Sequence, residues 1–452
     1  MSTQRPHILV VGGGYVGMYT ALTLQKKARR ALVTVVDPQP HMTYQPFLPE
    51  AAAGNLEPRH VVAPLRKTLR RSRVVTGRVE RIDHAHRTAL VRPLLGAAYE
   101  IAYDHVVIAP GSVSRTLPIP GLKETAVGFK TIGEAIYLRN HVLGQLDAAD
   151  STTEADVRRK AMTFVFVGGG YAGIEALAEL ENMAQDAMAY YSSLDRGELR
   201  WVLVEASQRI LPEVGPDMGV YTVQRLLDRG IDIRLNTRLV SCVDGRVVLS
   251  DGEEFDAGTV VWTAGVKAHP MLDDTDLPRD DRGRVTCLPT LQVVRDGAVV
   301  DGAWSAGDCA AVPDLTSKVP GATCSPSAQH AVRQATRLGD NIARVLRGQL
   351  PRDYAHRHVG SVASLGLYQG VAQVYGIKLK GFPAWFMHRT YHMSRVPTFN
   401  RKVRVIADWT LALLLRREVV ALGQLHEPRE GFEEFAVAAT SSASAPGGRD
   451  ST

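Results

Sequence analysis

Two short segments carry the residue types best suited to chemistry, and they are versions of one device: Val10-Val11-Gly12-Gly13-Gly14-Tyr15-Val16-Gly17 and Val165-Phe166-Val167-Gly168-Gly169-Gly170-Tyr171-Ala172-Gly173. Each follows an apolar, β-branched run that reads as a buried parallel strand, and each precedes a segment that reads as a helix. In such a unit the first glycine (Gly12, Gly168) makes the tight turn. The second (Gly14, Gly170) lets the backbone approach a pyrophosphate, and the third (Gly17, Gly173) allows helix and strand to pack closely. The helix start offers unpaired N–H groups to the phosphate. A further strand then ends in an acid placed to accept a ribose hydroxyl, Asp37 in the first copy and Glu205 in the second. Glu205 lies well beyond the usual distance of about 20 residues, so the Ala-, Glu- and Leu-rich stretch between Ala176 and Leu199 is expected to form an extended or doubled helix. A carboxylate there repels the 2′-phosphate of NADPH and favours NADH. One chain holding two dinucleotides reads most simply as an electron-transfer flavoprotein.

Positioning these residues calls for an α/β chain with two Rossmann-like dinucleotide-binding domains. The first is expected over 1–125, with a small β excursion near 74–99 and a return strand, Asp104–Ala109, ending in Pro110-Gly111. The second is expected over 161–290; its last strand ends in Gly265 in the same form, which points to internal duplication. Residues 126–160 read as a connector, with 141–160, acidic and bearing Ser and Thr, as a linker. Further on, Ala303-Trp304-Ser305-Ala306 runs into Gly307-Asp308. A strand ending in Gly-Asp before a helix sets a carboxylate on a cofactor ribityl hydroxyl and a helix start on its phosphate. The chain is therefore expected to return to the first domain over 291–354, making the second domain an insertion.

A length of 452 residues suits two or three domains, and 45% hydrophobic content suits sizeable cores. Cys242, Cys287, Cys309 and Cys324 have no CxxC spacing, which argues for a reducing compartment and against a disulfide scaffold or a metal site. There is no apolar signal segment before the first strand, so export is not expected. No run approaches the roughly 20 apolar residues of a membrane-spanning helix. The net charge of +6 is concentrated: residues 378–417 hold nine Lys or Arg against Asp408 alone. In the region 355–435, aromatics and aliphatics interleave with these cations. From Lys402 a helix sets Val403, Ile406, Trp409 and Leu413 on one face, suited to a headgroup interface with Trp409 as anchor and the cations meeting anionic lipid. The alternatives are a helix packed on the protein and a dimer contact. Apolar residues at helical spacing fit a bilayer better than a phosphate groove, so no nucleic-acid partner is expected. The tail 436–452 is expected to be disordered.

Together these motifs resemble the type II, non-proton-pumping NADH:quinone oxidoreductases, within the two-dinucleotide pyridine nucleotide-disulfide oxidoreductase superfamily, over about residues 6–417. The most specific match is Ala328-Gln329-His330-Ala331-Val332-Arg333-Gln334, similar to the family's AQxAxQ signature. Met42–Glu50 is similar to the aromatic, proline-rich loop that follows the first acid. The resemblance implies non-covalent FAD at Gly12, Gly14, Gly17, Asp37, Gly111, Gly307, Asp308 and Ala328, and NADH at Gly168, Gly170, Gly173 and Glu205. As catalytic residues it implies Glu175, between the nicotinamide and flavin regions, and Gln329, near the flavin ring and quinone head, with Gln334 as structural support. It also implies electron transfer to menaquinone or ubiquinone by a peripheral, monotopic and often homodimeric enzyme on the cytoplasmic face of the cell membrane. Pro110 departs from the threonine usual in the family's Ala-Thr-Gly turn. Among rivals of the same fold, a disulfide reductase needs paired thiols early in the first domain, yet the first cysteine is Cys242. A sulfide:quinone oxidoreductase needs cysteines flanking the flavin, for which Cys309 and Cys324 are the candidates. An NADH- and FAD-binding redox sensor is the non-enzymatic reading.

Overall fold

The computed structural model describes residues 5–357, 359–415 and 417–422. Its largest sheet has eight strands, and at its centre His7–Val11 lies between Leu32–Asp37 and His105–Ile108, all parallel. Such strands are covered on both faces, which is why His7–Val11 and Leu32–Asp37 read as almost unbroken apolar runs. The sheet extends on one side through Arg73–Asp83 and two antiparallel strands, Thr88–Pro93 and Tyr99–Ala102, which form the β excursion seen in the sequence. On the other side Ala298–Ser305 joins His105–Ile108 in parallel, and Gln292–Arg295 closes the edge. The late segment thus enters the same sheet as the first strand.

A second sheet of five parallel strands is built from Ala126–Gly128, Thr259–Trp262, Thr163–Val167, Arg200–Glu205 and Asp232–Leu235. All of its residues fall between the two contributions to the first sheet, so one α/β unit is inserted in the other. The segment 126–160 is not a connector. Ala126–Gly128 is the edge strand of the second sheet, and the expected linker lies in the helices Ile132–Ser151 and Ala155–Ala161. The first helix starts with a capping box, in which the Thr131 side chain accepts from the Glu134 N–H and Glu134 accepts from the Thr131 N–H. Leu138, Val142, Leu143, Leu146 and Ala149 form its buried stripe. The acidic and hydroxyl residues that suggested a linker lie on its other face and toward its end.

Helix Tyr15–Lys27, which leaves the first glycine turn, packs against helix Ala328–Val345, and Thr20 Oγ1 donates to Ala335 O at 3.2 Å across the contact. That contact fixes the signature helix against the first sheet. The C-terminal region adds an antiparallel sheet, Gly360–Ser364, Gly370–Val374 and Ile377–Lys380, and the helices Phe382–Arg395 and Phe399–Leu415. The expected tail 436–452, and 423–435 before it, lie outside the described residues.

Candidate active site

The two glycine turns have matching geometry. Gly12 and Gly168 have φ of +101° and +118°, a region that disfavours side chains, and a Cβ on Gly12 would lie 2.2 Å from Ala109 O. Gly17 and Gly173 are closed by packing, since a Cβ on either would lie 1.8 Å and 2.1 Å from the carbonyl oxygens of Gly12 and Gly168. Gly14 and Gly170 differ from both. Among the described residues nothing lies within 4 Å of a Cβ built on either, so each faces open space at a helix start. Of the three glycines, only this one is small toward a space that a ligand can occupy.

The acids repeat the correspondence. Asp37 accepts from Gly13 N–H at 2.6 Å and Gln39 N–H at 2.7 Å. Glu205 accepts from Gly169 N–H at 2.6 Å and Ser207 N–H at 2.7 Å. Each carboxylate closes its own glycine turn and keeps unused lone pairs for a ribose. Burial raises the Asp37 carboxyl above its usual value, against the two N–H donors that favour its charge. The long interval before Glu205 is taken up by helix Tyr171–Ala187 and the short turns Met188–Tyr190 and Arg196–Glu198, so the helix is extended and not doubled.

Gly111 follows strand His105–Ile108 with φ of +76° and nothing within 4 Å of its would-be Cβ among the described residues. Gly307 sits at the end of Ala298–Ser305, where its N–H donates to Gln334 Oε1 at 2.7 Å, so Gln334 supports this turn. Asp308 accepts from Ser112 Oγ at 2.7 Å, and Lys130 Nζ donates to the same hydroxyl at 2.6 Å. No α-helix follows Gly307-Asp308 directly. A three-residue turn leads into the short strand Ala310–Ala311, and the next α-helix starts only at Ala328.

Ala328 is the first residue of that helix, whose cap is Ser327, accepting from His330 N–H at 3.2 Å. Gln329 Nε2 donates to Gly360 O at 2.9 Å, while its Oε1 is buried without a partner among the described residues. Glu175, one turn into helix Tyr171–Ala187, accepts from Ser364 N–H at 2.9 Å. Gln329 and Glu175 therefore hold the two ends of one strand, Gly360–Ser364, whose end residues lie about 13 Å apart. The strand joins them without bringing them into contact.

Around this strand lies a buried polar cluster that the sequence reading missed. Glu50 bonds Arg389 at 2.9 Å and accepts from Trp409 Nε1 at 2.7 Å, and the Arg389 guanidinium lies 4.3 Å and 4.8 Å from the ring centroids of Trp385 and Trp409. Trp409 is therefore half-buried with its indole N–H turned into the protein, whereas its companions Val403, Ile406 and Leu413 are exposed. Burial raises the Glu50 carboxyl, and Arg389 pulls it back. Arg389→Met should cost about 3–5 kcal/mol by leaving a buried carboxylate unpaired. A carboxyl raised on folding loses stability as pH rises from its unfolded value through its folded one, so the deficit should be larger at pH 8 than at pH 5. Thermal unfolding at the two pH values measures it.

All four cysteines are reduced and buried. Burial pushes the Cys309 and Cys324 thiols up to about 11, which is contrary to what a sulfide-oxidising thiolate requires.

Two sheets with parallel centres, each with a phosphate-ready glycine turn closed by an acid, define a two-dinucleotide oxidoreductase. Residues 6–335 match the family model described as Pyridine nucleotide-disulphide oxidoreductase. A type II NADH:quinone oxidoreductase of Staphylococcus epidermidis is 30% identical over 397 residues, covering 86% of this chain and 94% of the relative. That of Mycobacterium tuberculosis is 27% identical over 431 residues, covering 92% and 89%. The chain belongs to the pyridine nucleotide-disulphide oxidoreductases and, within them, to the type II NADH:quinone oxidoreductases. The structure of NDH2 from Plasmodium falciparum in complex with NADH has the same fold, with a TM-score of 0.85 at 16% identity, covering 92% of this chain and 100% of that one.

Proposed function

We propose that the chain oxidises NADH at the second glycine turn and reduces a membrane quinone through FAD held at the first. The observation that carries this reading is the pair of open positions at Gly14 and Gly170, each beside an acid already engaged in its turn. Gly12, Gly14, Gly17, Asp37, Gly111, Gly307, Asp308 and Ala328 hold the flavin nucleotide. Gly168, Gly170, Gly173 and Glu205 hold NADH. Bound FAD supplies the two-electron chemistry, and the protein supplies binding, orientation and exclusion of water. Glu175 tunes the region where the two cofactors meet. Gln329, with its free Oε1 and one remaining N–H, orients the quinone head. Stopped-flow reduction by NADH, followed by reoxidation with menaquinone, ubiquinone, oxygen or sulfide-derived acceptors, tests the route; fast reoxidation by oxygen alone would overturn it.

No helix among the described residues is long and apolar enough to cross a membrane. Helix Phe399–Leu415 nevertheless exposes Phe399, Val403 and Ile406, with Leu413, Leu414 and Leu415 at 70%, 73% and 75%. This face suits peripheral docking on the anionic cytoplasmic leaflet, with homodimer formation as a second use of the same region. Val403→Glu/Leu414→Glu should abolish flotation with anionic vesicles and leave NADH oxidation by a water-soluble acceptor unchanged. Full flotation of this variant would locate the docking face elsewhere. Substitution is preferable to truncation, because Phe382–Arg395 supplies the buried Arg389.

A further inference from the structure

The segment that leaves Ala126–Gly128, the edge strand of the second sheet, does not stay within its own unit. Two residues on, Lys130 reaches back to the Gly307-Asp308 turn of the first. Its Nζ donates to Ser112 Oγ at 2.6 Å, and that hydroxyl donates to Asp308 Oδ2 at 2.7 Å. The Lys130 main chain is held on both sides, its N–H donating to Glu134 Oε2 at 2.8 Å and its carbonyl accepting from Gln45 Nε2 at 3.3 Å. Gln45 lies in the loop after Asp37, and Ser112 follows Gly111, beside which space is open among the described residues. Three segments of the first unit therefore meet around one lysine of the second.

We infer that Lys130 is a positioning residue for FAD: acting through Ser112, it fixes the Asp308 carboxylate that takes a ribityl hydroxyl, so the inserted unit completes the flavin site of its host. This rests on the reading in which Asp308 holds FAD. A serine hydroxyl has one proton and two lone pairs, and it rotates to suit its neighbours. A charged lysine can only donate, so it takes a lone pair of Ser112 and leaves the hydroxyl proton to Asp308. Both bonds of this chain carry an ionised partner, which shortens and strengthens them. The ammonium reaches the carboxylate only through the hydroxyl, so it orients Oδ2 and leaves Oδ1 to the ligand. Burial lowers the Lys130 amine from its usual value, and Asp308 and Glu134 oppose that shift by favouring its charge.

Release of FAD from the full-length holoenzyme on dilution, followed by the rise in flavin fluorescence, reads this role without turnover. Lys130→Met should speed release about 30-fold, the weight of one hydrogen bond to a charged group. Lys130→Arg, which keeps a donor and the charge, should recover most of the loss. Ser112→Ala should behave like Lys130→Met. The double variant should release FAD no faster than either single one, because the two residues act in series.

FAD analogues that each lack one ribityl hydroxyl separate positioning from general support of the fold. With the analogue missing the hydroxyl that meets Asp308, parent and Lys130→Met should release at the same rate. With the others the difference should persist. Parental release of FAD by Lys130→Met, additive effects in the double variant, or an equal loss with every analogue overturns the role of Lys130. If Lys130→Met does not fold, Ser112→Ala with the same analogues decides. A parent chain that takes up no FAD overturns the flavin reading itself, whereas a parent that holds FAD beside variants that hold it equally well removes the lysine's role alone.

Discussion

A Gly170→Val enzyme is expected to fold, bind FAD and resist reduction by NADH. Gly170 has φ −77° and ψ 179°, which any residue adopts, so valine strains no backbone there. Among the described residues no atom lies within 4 Å of the new Cβ, so packing does not oppose it either. The isopropyl group instead fills the space through which the pyrophosphate approaches the helix start. The KM for NADH should rise on the order of 100-fold or more, because the phosphate loses charge-assisted N–H contacts worth about 1.5–3 kcal/mol each. Thermal stability should stay within about 1 kcal/mol of the parent, as for a surface substitution. Gly168→Ala provides the contrast, since its φ of +118° and the backbone of Thr263 and Ala264 within 3 Å leave no room for a methyl group. That variant should lose stability as well as NADH binding. A Gly170→Val protein with parental KM would remove the second turn as the NADH cradle.

The second large effect is expected at Glu205. Its two oxygens occupy the N–H groups of Gly169 and Ser207, and its charge opposes a 2′-phosphate. Glu205→Ala removes the charge and frees both donors, which then face the position of that phosphate. The ratio of kcat/KM for NADH over NADPH should fall on the order of 100-fold, about 2.7 kcal/mol, of which loss of the ribose contact and relief of repulsion each supply part. Steady-state assays with the two nucleotides read it directly. An unchanged ratio would mean that the carboxylate serves only to close the turn.

The parts of the site legible in the sequence were those built by neighbours along the chain. Gly12 and Gly168 announce themselves because a tight turn between strand and helix is a local demand, and Asp37 and Glu205 because each ends the next strand of the same unit. The AQxAxQ-like segment could be located, but its function as a clamp on Gly360 could not, since that bond spans 31 positions and depends on how a separate sheet docks. Helix Ile132–Ser151 was misread for a related reason. Its buried leucines are separated by acidic and small residues whose composition resembles a linker, and only the second sheet beneath it shows what the stripe is for. Trp409 shows the limit of helical-face reasoning. It lies at the edge of the exposed stripe, and the buried Glu50, distant in sequence, turned its N–H inward.

The insertion of one sheet within the other also sets an order in time. Ile108 meets Ser305, its partner in the first sheet, 197 positions later. A ribosome adding about 5–20 residues per second takes about 10–40 s to supply that partner. For this interval His105–Ile108 is an open parallel edge, apolar and unpaired, of the kind that recruits strands from other chains. The inserted unit waits less long, since its widest strand pairing, Ala126 with Val260, spans 134 positions. The nucleotide-donor half is therefore complete while its host is unfinished, and the flavin cradle is closed only after it. Slow synthesis between Ile108 and Ser305, or weak pairing by Ala298–Ser305, lengthens the exposure of that edge and lowers the yield of enzyme able to take up flavin.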